Sequence, residues 1–168
     1  MTFLLGGARS GKSALAVELA RSKHAPVTVI ATAEGRDDEM RARIELHRAE
    51  RPADWATVEE PLSLDEALSA APAGGVVIVD CLSLWIANLV ERGDADAQIE
   101  EQSGAAVARV SERREPTIAV SNEVGLGVVP PTELGRRYRD LLGRINTQWV
   151  AAADEALFVV AGRLLPLR

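Results

Sequence analysis

Gly6, Gly7, Ala8, Arg9, Ser10, Gly11, Lys12 and Ser13 make one uninterrupted match to the phosphate-loop pattern G-x-x-x-x-G-K-[ST], directly after the apolar run Phe3-Leu4-Leu5. No other stretch constrains the chain as tightly, because the pattern works only where a strand feeds a glycine-rich turn that opens a helix. Backbone N–H groups and the positive helix end then surround a phosphate chain. The segment Ser13-Ala-Leu-Ala-Val-Glu-Leu-Ala-Arg21 supplies the helix. Gly6 and Gly11 allow the torsions and close approach of the turn, Lys12 reaches the outer phosphates, and the Ser13 hydroxyl is a ligand for Mg2+. A nucleoside triphosphate site is expected, against the competing reading of a chance glycine turn.

Strand-like and helical segments alternate from there on. Strands are predicted near 2–5, 27–31, 76–79, 117–121 and 156–161, with a short extended piece near 56–59. Helices are predicted over 12–23, 37–49, 63–71, 82–91, 97–114 and 132–152. This rhythm implies an α/β fold, a mainly parallel sheet flanked by crossover helices. A last piece at 164–167 is placed to turn back as an antiparallel C-terminal edge strand. Val76-Val-Ile-Val79 and Phe158-Val-Val-Ala161 lack alternation, which predicts strands covered on both faces. The stretches 72–75 and 125–131 read as loops inside one domain spanning 1–168. At 168 residues and 47% hydrophobic, such a domain builds its core without disulfides or structural metal.

Several classes are disfavoured. A single cysteine, Cys81, excludes an internal disulfide framework, and no signal-peptide pattern or run of about 18 apolar residues is present. A cytoplasmic protein without stable membrane insertion is expected. A formal net charge of -6 argues against nucleic acid as a partner. The groups Arg41, Arg43, Arg48, Arg51 and Arg136, Arg137, Arg139, Arg144 still leave room for a local basic cleft.

Three further sites carry chemistry. Val76-Val-Ile-Val-Asp80 is an apolar strand ending in an acid, so Asp80 either orders the magnesium shell with Ser13 or caps the helix that begins near Leu82. His47 shares a helix face with Arg43 and Ile44, and Arg51 lies one turn further. Imidazole nitrogen attacks an α-phosphorus, and arginines hold phosphate oxygens while charge builds, but a histidine near a helix end is also a common capping or solvated residue. Asn122 and Glu123 end a strand before a loop with two glycines, where they bind a substrate hydroxyl or amide, or satisfy loop backbone groups. Trp85 and Trp149 are expected to pack, and Cys81 to be a small buried apolar residue.

Taken together, these residues resemble the bifunctional adenosylcobinamide kinase and adenosylcobinamide-phosphate guanylyltransferase family of cobalamin biosynthesis. The likeness takes in Gly6 to Ser13, Ala31-Thr-Ala33, Asp38-Glu-Met40, His47-Arg-Ala-Glu-Arg-Pro52 with Trp55, Asp80-Cys81, Ser121 to Pro130 and Tyr138-Arg-Asp140. It implies a recombinase-type (RecA-like) phosphate-loop NTPase with GTP and ATP as substrates. It also implies phosphorylation of adenosylcobinamide, then GMP transfer from GTP to adenosylcobinamide phosphate through a guanylylated His47. Lys12 is expected to be the second catalytic residue. The guanine nucleotide is implied to rest on the phosphate loop, on Ala31, Thr32 and Ala33, on Arg48, Ala49, Glu50 and Arg51, and on Glu59 and Asp80. A homotrimer is implied as well. One departure is that Thr147 separates Asn146 from Gln148, where the family often has Asn followed directly by Gln. Without the resemblance, the phosphate loop alone also suits a small-molecule kinase lacking guanylyl transfer, or a nucleotide-dependent switch using the 125–131 loop.

Overall fold

The computed structural model describes residues 1–167. Seven strands form one sheet: β1 (Thr2–Gly6), β2 (Val27–Ala31), β3 (Ala56–Glu59), β4 (Val76–Asp80), β5 (Thr117–Asn122), β6 (Glu155–Val160) and β7 (Arg163–Leu167). Six helices connect them: α1 (Lys12–Arg21), α2 (Asp38–Ala49), α3 (Leu64–Ala70), α4 (Leu82–Arg92), α5 (Asp96–Glu112) and α6 (Glu133–Ala152). The strand order is β3-β2-β4-β5-β1-β6-β7, parallel throughout except for the β6–β7 hairpin. The antiparallel edge strand expected at the C-terminus is therefore present.

Alternate residues of the central strands enter two cores, as the two-residue repeat of a strand requires. Phe3, Leu5, Val77, Val79 and Ala119 join the larger core, which also holds Trp85 and Trp149 beneath α3, α4, α5 and α6. Leu4, Val76, Ile78, Ile118 and Val120 join a smaller one with Ala16 and Ala20 of α1. All four residues of Val76–Val79 are buried, as their lack of alternation predicts. The same expectation fails for Phe158–Ala161. Val160 is exposed and Ala161 lies beyond the strand in a left-handed turn, because no helix makes its main packing on β6 or β7.

The order places β5 between β1, which feeds the phosphate loop, and β4, which ends in Asp80. The parallel register sets Gly6 beside Asn122, and Asp80 beside both Ala31 and Val120. Four strand ends thus open onto one rim, the place where open α/β sheets bind ligands. No helix in the described residues is long and apolar enough to cross a membrane.

Candidate active site

The phosphate loop occupies the turn between β1 and α1. Gly11 has a φ of 103°, which a side chain disfavours. A Cβ on Gly6 would stand 2.3 Å from the Val159 carbonyl oxygen of β6. Both glycines are therefore demanded by the backbone. Lys12 is 7% exposed and folds back over the loop. Its Nζ donates to the carbonyls of Gly6 at 2.8 Å and Gly7 at 2.7 Å, and reaches Ser10 Oγ at 3.4 Å. Burial lowers its pKa, and the nearby Cys81 and Asp80 act in the opposite direction. An ammonium group caged by neutral carbonyls gains more from phosphate oxygens, since hydrogen bonds to charged acceptors are the stronger ones.

Ser13, His47, Glu50, Arg51 and Asp80 line a single cleft whose apolar part is Ala16, Val17, Val29 and Ile78. Elements far apart in sequence thus converge on one face of the sheet. His47 arrives on α2, whose N-cap Asp37 accepts the Met40 N–H at 2.7 Å. Asp38 and Glu39 in the first turn and His47 and Arg48 in the last match the helix dipole. α2 has no buried residue. Its C-terminal end is tied down by ion pairs: Arg51 Nη2 donates to Asp80 Oδ2 at 2.9 Å, and Arg48 Nη2 to Glu59 Oε1 at 2.8 Å. His47 Nδ1 stands 3.7 Å from Glu50 Oε2. Ala49 is the last residue of the helix.

Asp80 does not cap α4. Cys81 takes the N-cap position, and no side chain accepts a hydrogen bond there. The carboxylate instead faces Arg51 in the cleft that Ser13 shares. Among the described residues no three His, Cys, Asp or Glu side chains cluster as a metal cage. Magnesium needs none, since it is commonly held by one or two protein oxygens together with phosphate oxygens and water. Ser13 and Asp80 suit that arrangement.

The second loop is placed by hydrogen bonds rather than by apolar burial. The Ala31 carbonyl accepts the Glu60 N–H at 3.0 Å, and Ala33 is half-buried. Thr32 is fully buried; its hydroxyl donates to the Cys81 carbonyl at 2.7 Å and accepts the Cys81 N–H at 3.0 Å. Asn88 Nδ2 donates to the Thr32 carbonyl at 2.8 Å. Thr32 therefore joins the end of β2 to the end of β4, and its side chain is engaged within the protein. Cys81 is half-buried rather than fully buried as expected, and desolvation pushes its thiol pKa up.

Asn122 and Glu123 sit beside the phosphate loop. Asn122 Nδ2 donates to Ser83 Oγ at 3.0 Å, and its carbonyl accepts from Asn146 Nδ2 at 3.1 Å. The Glu123 N–H donates to the Gly6 carbonyl at 3.0 Å, while its carboxylate accepts the Gly125 N–H within its own loop. The Glu123 carboxylate thus satisfies a loop backbone group, one of the two roles the sequence allows. Sequence reasoning missed Ser83, which meets Asn122, Cys81 Sγ at 2.9 Å and, through its carbonyl, the Tyr138 hydroxyl at 3.0 Å. Burial raises the Tyr138 pKa. No local pattern marks such a residue, because its partners lie up to 55 positions away.

In the second arginine group three side chains are paired with carboxylates. Arg137 pairs with Asp96 at 2.7 Å, Arg144 with Asp96 at 2.8 Å and Glu100 at 2.6 Å, and Arg139 with its neighbour Asp140 at 2.7 Å. Gln148 packs between α5 and α6, accepting from Ser103 Oγ at 2.6 Å.

A phosphate loop leaving the inner strand of this mainly parallel sheet, with an acid at the end of β4, defines a phosphate-loop fold with a recombinase-like sheet. The fold resembles that of the RadB recombinase, with a TM-score of 0.53 and 15% identity, covering 94% of this chain and 72% of that one. A KaiC-like protein from Pyrococcus horikoshii is similar to the same degree, with a TM-score of 0.53, 16% identity, and coverage of 94% and 69%. Residues 2–167 match the family described as cobinamide kinase / cobinamide phosphate guanyltransferase, and the chain belongs to that family of enzymes. It is 46% identical over 166 residues to the bifunctional adenosylcobalamin biosynthesis protein CobP of Pseudomonas aeruginosa, covering 98% of this chain and 95% of the relative. It is 39% identical over 175 residues to CobU of Escherichia coli, with 96% of each chain covered.

Proposed function

We propose that the protein phosphorylates adenosylcobinamide with a nucleoside triphosphate. It then transfers GMP from GTP to adenosylcobinamide phosphate through a guanylylated His47, giving adenosylcobinamide-GDP and pyrophosphate. The observation that carries this reading is the single cleft lined by His47, Arg51, Ser13 and Asp80, next to the phosphate loop. Family membership and the relatives' bifunctional names support it.

In the kinase step the loop backbone and Lys12 hold the triphosphate so that its γ-phosphorus lies in line with the cobinamide hydroxyl, which is catalysis by alignment and charge. In the transfer step a ring nitrogen of neutral His47 attacks the α-phosphorus. A nitrogen–phosphorus bond forms, the bond from α-phosphorus to the bridging oxygen breaks, and pyrophosphate leaves. Lys12, Arg48 and Arg51 balance the charge that gathers on the phosphoryl oxygens. An oxygen of adenosylcobinamide phosphate then attacks the same phosphorus, and the breaking of the nitrogen–phosphorus bond restores His47. Bound Mg2+, on Ser13 and Asp80, would supply further charge neutralisation at the phosphates. The protein is assigned as a homotrimer, supported by the family resemblance and by the apolar residues on its open edge strand β7.

The test is incubation with magnesium and GTP radiolabelled at the α-phosphorus, followed by denaturing separation and mapping of an acid-labile, base-stable adduct. Label is expected on His47. His47→Asn is expected to lose the label and GMP transfer while retaining cobinamide phosphorylation. Absence of label in wild-type protein that binds GTP would leave a kinase without guanylyl transfer.

A further inference from the structure

The loop from Glu123 to Pro131 carries side chains of the wrong character for a simple connection. Leu126 is 80% exposed, Val128 94% and Val129 59%. A run of aliphatic groups held in water marks a surface that something apolar covers. Both ends of the loop are pinned. At the start, the Glu123 N–H donates to the Gly6 carbonyl at 3.0 Å, so the loop leaves β5 beside the first residue of the phosphate loop. At the end, Arg136 Nη1 donates to the carbonyls of Pro130 at 3.1 Å and Pro131 at 2.9 Å, and Thr132 caps α6. The loop thus runs from the rim beside Gly6 to the start of α6, with its aliphatic groups exposed between those anchors.

We propose that Leu126, Val128 and Val129 form a platform for the apolar face of the cobinamide macrocycle, the acceptor assigned above, on which this inference rests. The acceptor must bring a small hydroxyl, later a phosphate, to the phosphate loop while its bulky ring system stays outside the narrow cleft. An apolar ring face needs an apolar support near the rim where the strands end, and the loop that follows β5 carries exposed aliphatic groups. A separate exposed apolar pair, Leu164 and Leu165 on β7, lies along an open sheet edge and suits contact between copies of the chain.

The test uses the full-length Leu126→Ser/Val128→Ser protein. Both positions are exposed, so the fold is expected to be retained. Equilibrium dialysis, read by the visible absorbance of adenosylcobinamide, is expected to show binding weakened by about tenfold. GTP affinity and the mass by light scattering should match wild type. Cobinamide binding equal to wild type would overturn the platform, as would a wild-type protein that does not bind cobinamide. A fall in mass would also overturn it and make the loop an interface between copies. Wild-type protein that binds cobinamide through this loop yet forms no guanylyl adduct would leave the platform standing and remove the transfer reading instead.

Discussion

Arg51 and Asp80 are 11% and 17% exposed, so their ion pair lies where water screens charge poorly. Breaking such a pair by removing one partner leaves the other charge in need of compensation. In the proposed mechanism each has a second partner, the polyphosphate for Arg51 and magnesium for Asp80. In that mechanism the guanidinium and the metal would compete for one carboxylate, and Asp80 would be a poor ligand for free metal until a nucleotide draws Arg51 away. Arg51→Met is expected to tighten nucleotide-free Mn2+ binding by roughly tenfold, equivalent to about 1.4 kcal/mol, as followed by electron paramagnetic resonance. Arg51→Lys should lie between the two, because it keeps the charge without the planar fork. An affinity unchanged in Arg51→Met would remove Asp80 from the metal's shell.

Among the elements, α4, α5 and α6 meet in a corner held by charge. Gly93 ends α4 in the left-handed region, and Arg92 Nε donates to Asp94 Oδ1 at 2.8 Å just beyond it. Gln102 Nε2 adds a bond to Asp94 at 3.0 Å, and Asp96 binds Arg137 and Arg144 of α6. The Arg92 hydrogen bond is the main reason the Asp94 pKa falls to about 2, and Arg137 leads in lowering Asp96. A carboxyl group whose folded pKa is depressed contributes stability that is present above its unfolded pKa and lost as pH falls through the folded one. The urea midpoint should therefore drop between roughly pH 4 and pH 2. Asp94→Asn should be less stable at neutral pH and should show a shallower acid decline. A parallel decline in both proteins would mean that the Arg92 pair contributes nothing. The effect is modest, because exposed pairs are screened.

On the scale of the whole molecule, the sheet is closed by β3 at one end and by the β6–β7 hairpin at the other. Exposed Leu164 and Leu165 on β7 leave an apolar open edge, and natural edges of that kind are usually covered. Light scattering of the purified protein should give the mass of a trimer, and Leu164→Ser/Leu165→Ser should shift it towards the monomer. A wild-type monomer would remove the assembly. The sequence made the parallel architecture legible almost element by element, since buried runs and helical repeats are local signals. It misjudged β6, where an apolar run is equally compatible with a strand near the edge. The pattern of Phe158–Ala161 contains no information about which helices reach that end of the sheet.

The phosphate loop, the acid at the end of β4 and the α/β rhythm were determined by sequence alone, because each depends on neighbours within a few residues. The torsions Gly11 must adopt and the strand that feeds the turn belong to that local class. Tertiary structure decided the rest. It brought His47 into the cleft with Ser13, and Arg51 onto Asp80 across 29 positions. It committed the Thr32 hydroxyl to the Cys81 peptide, and it left Leu126 and Val128 exposed in the loop that follows β5. These pairings follow from strand order and crossover paths, which set distances between residues that share no local pattern.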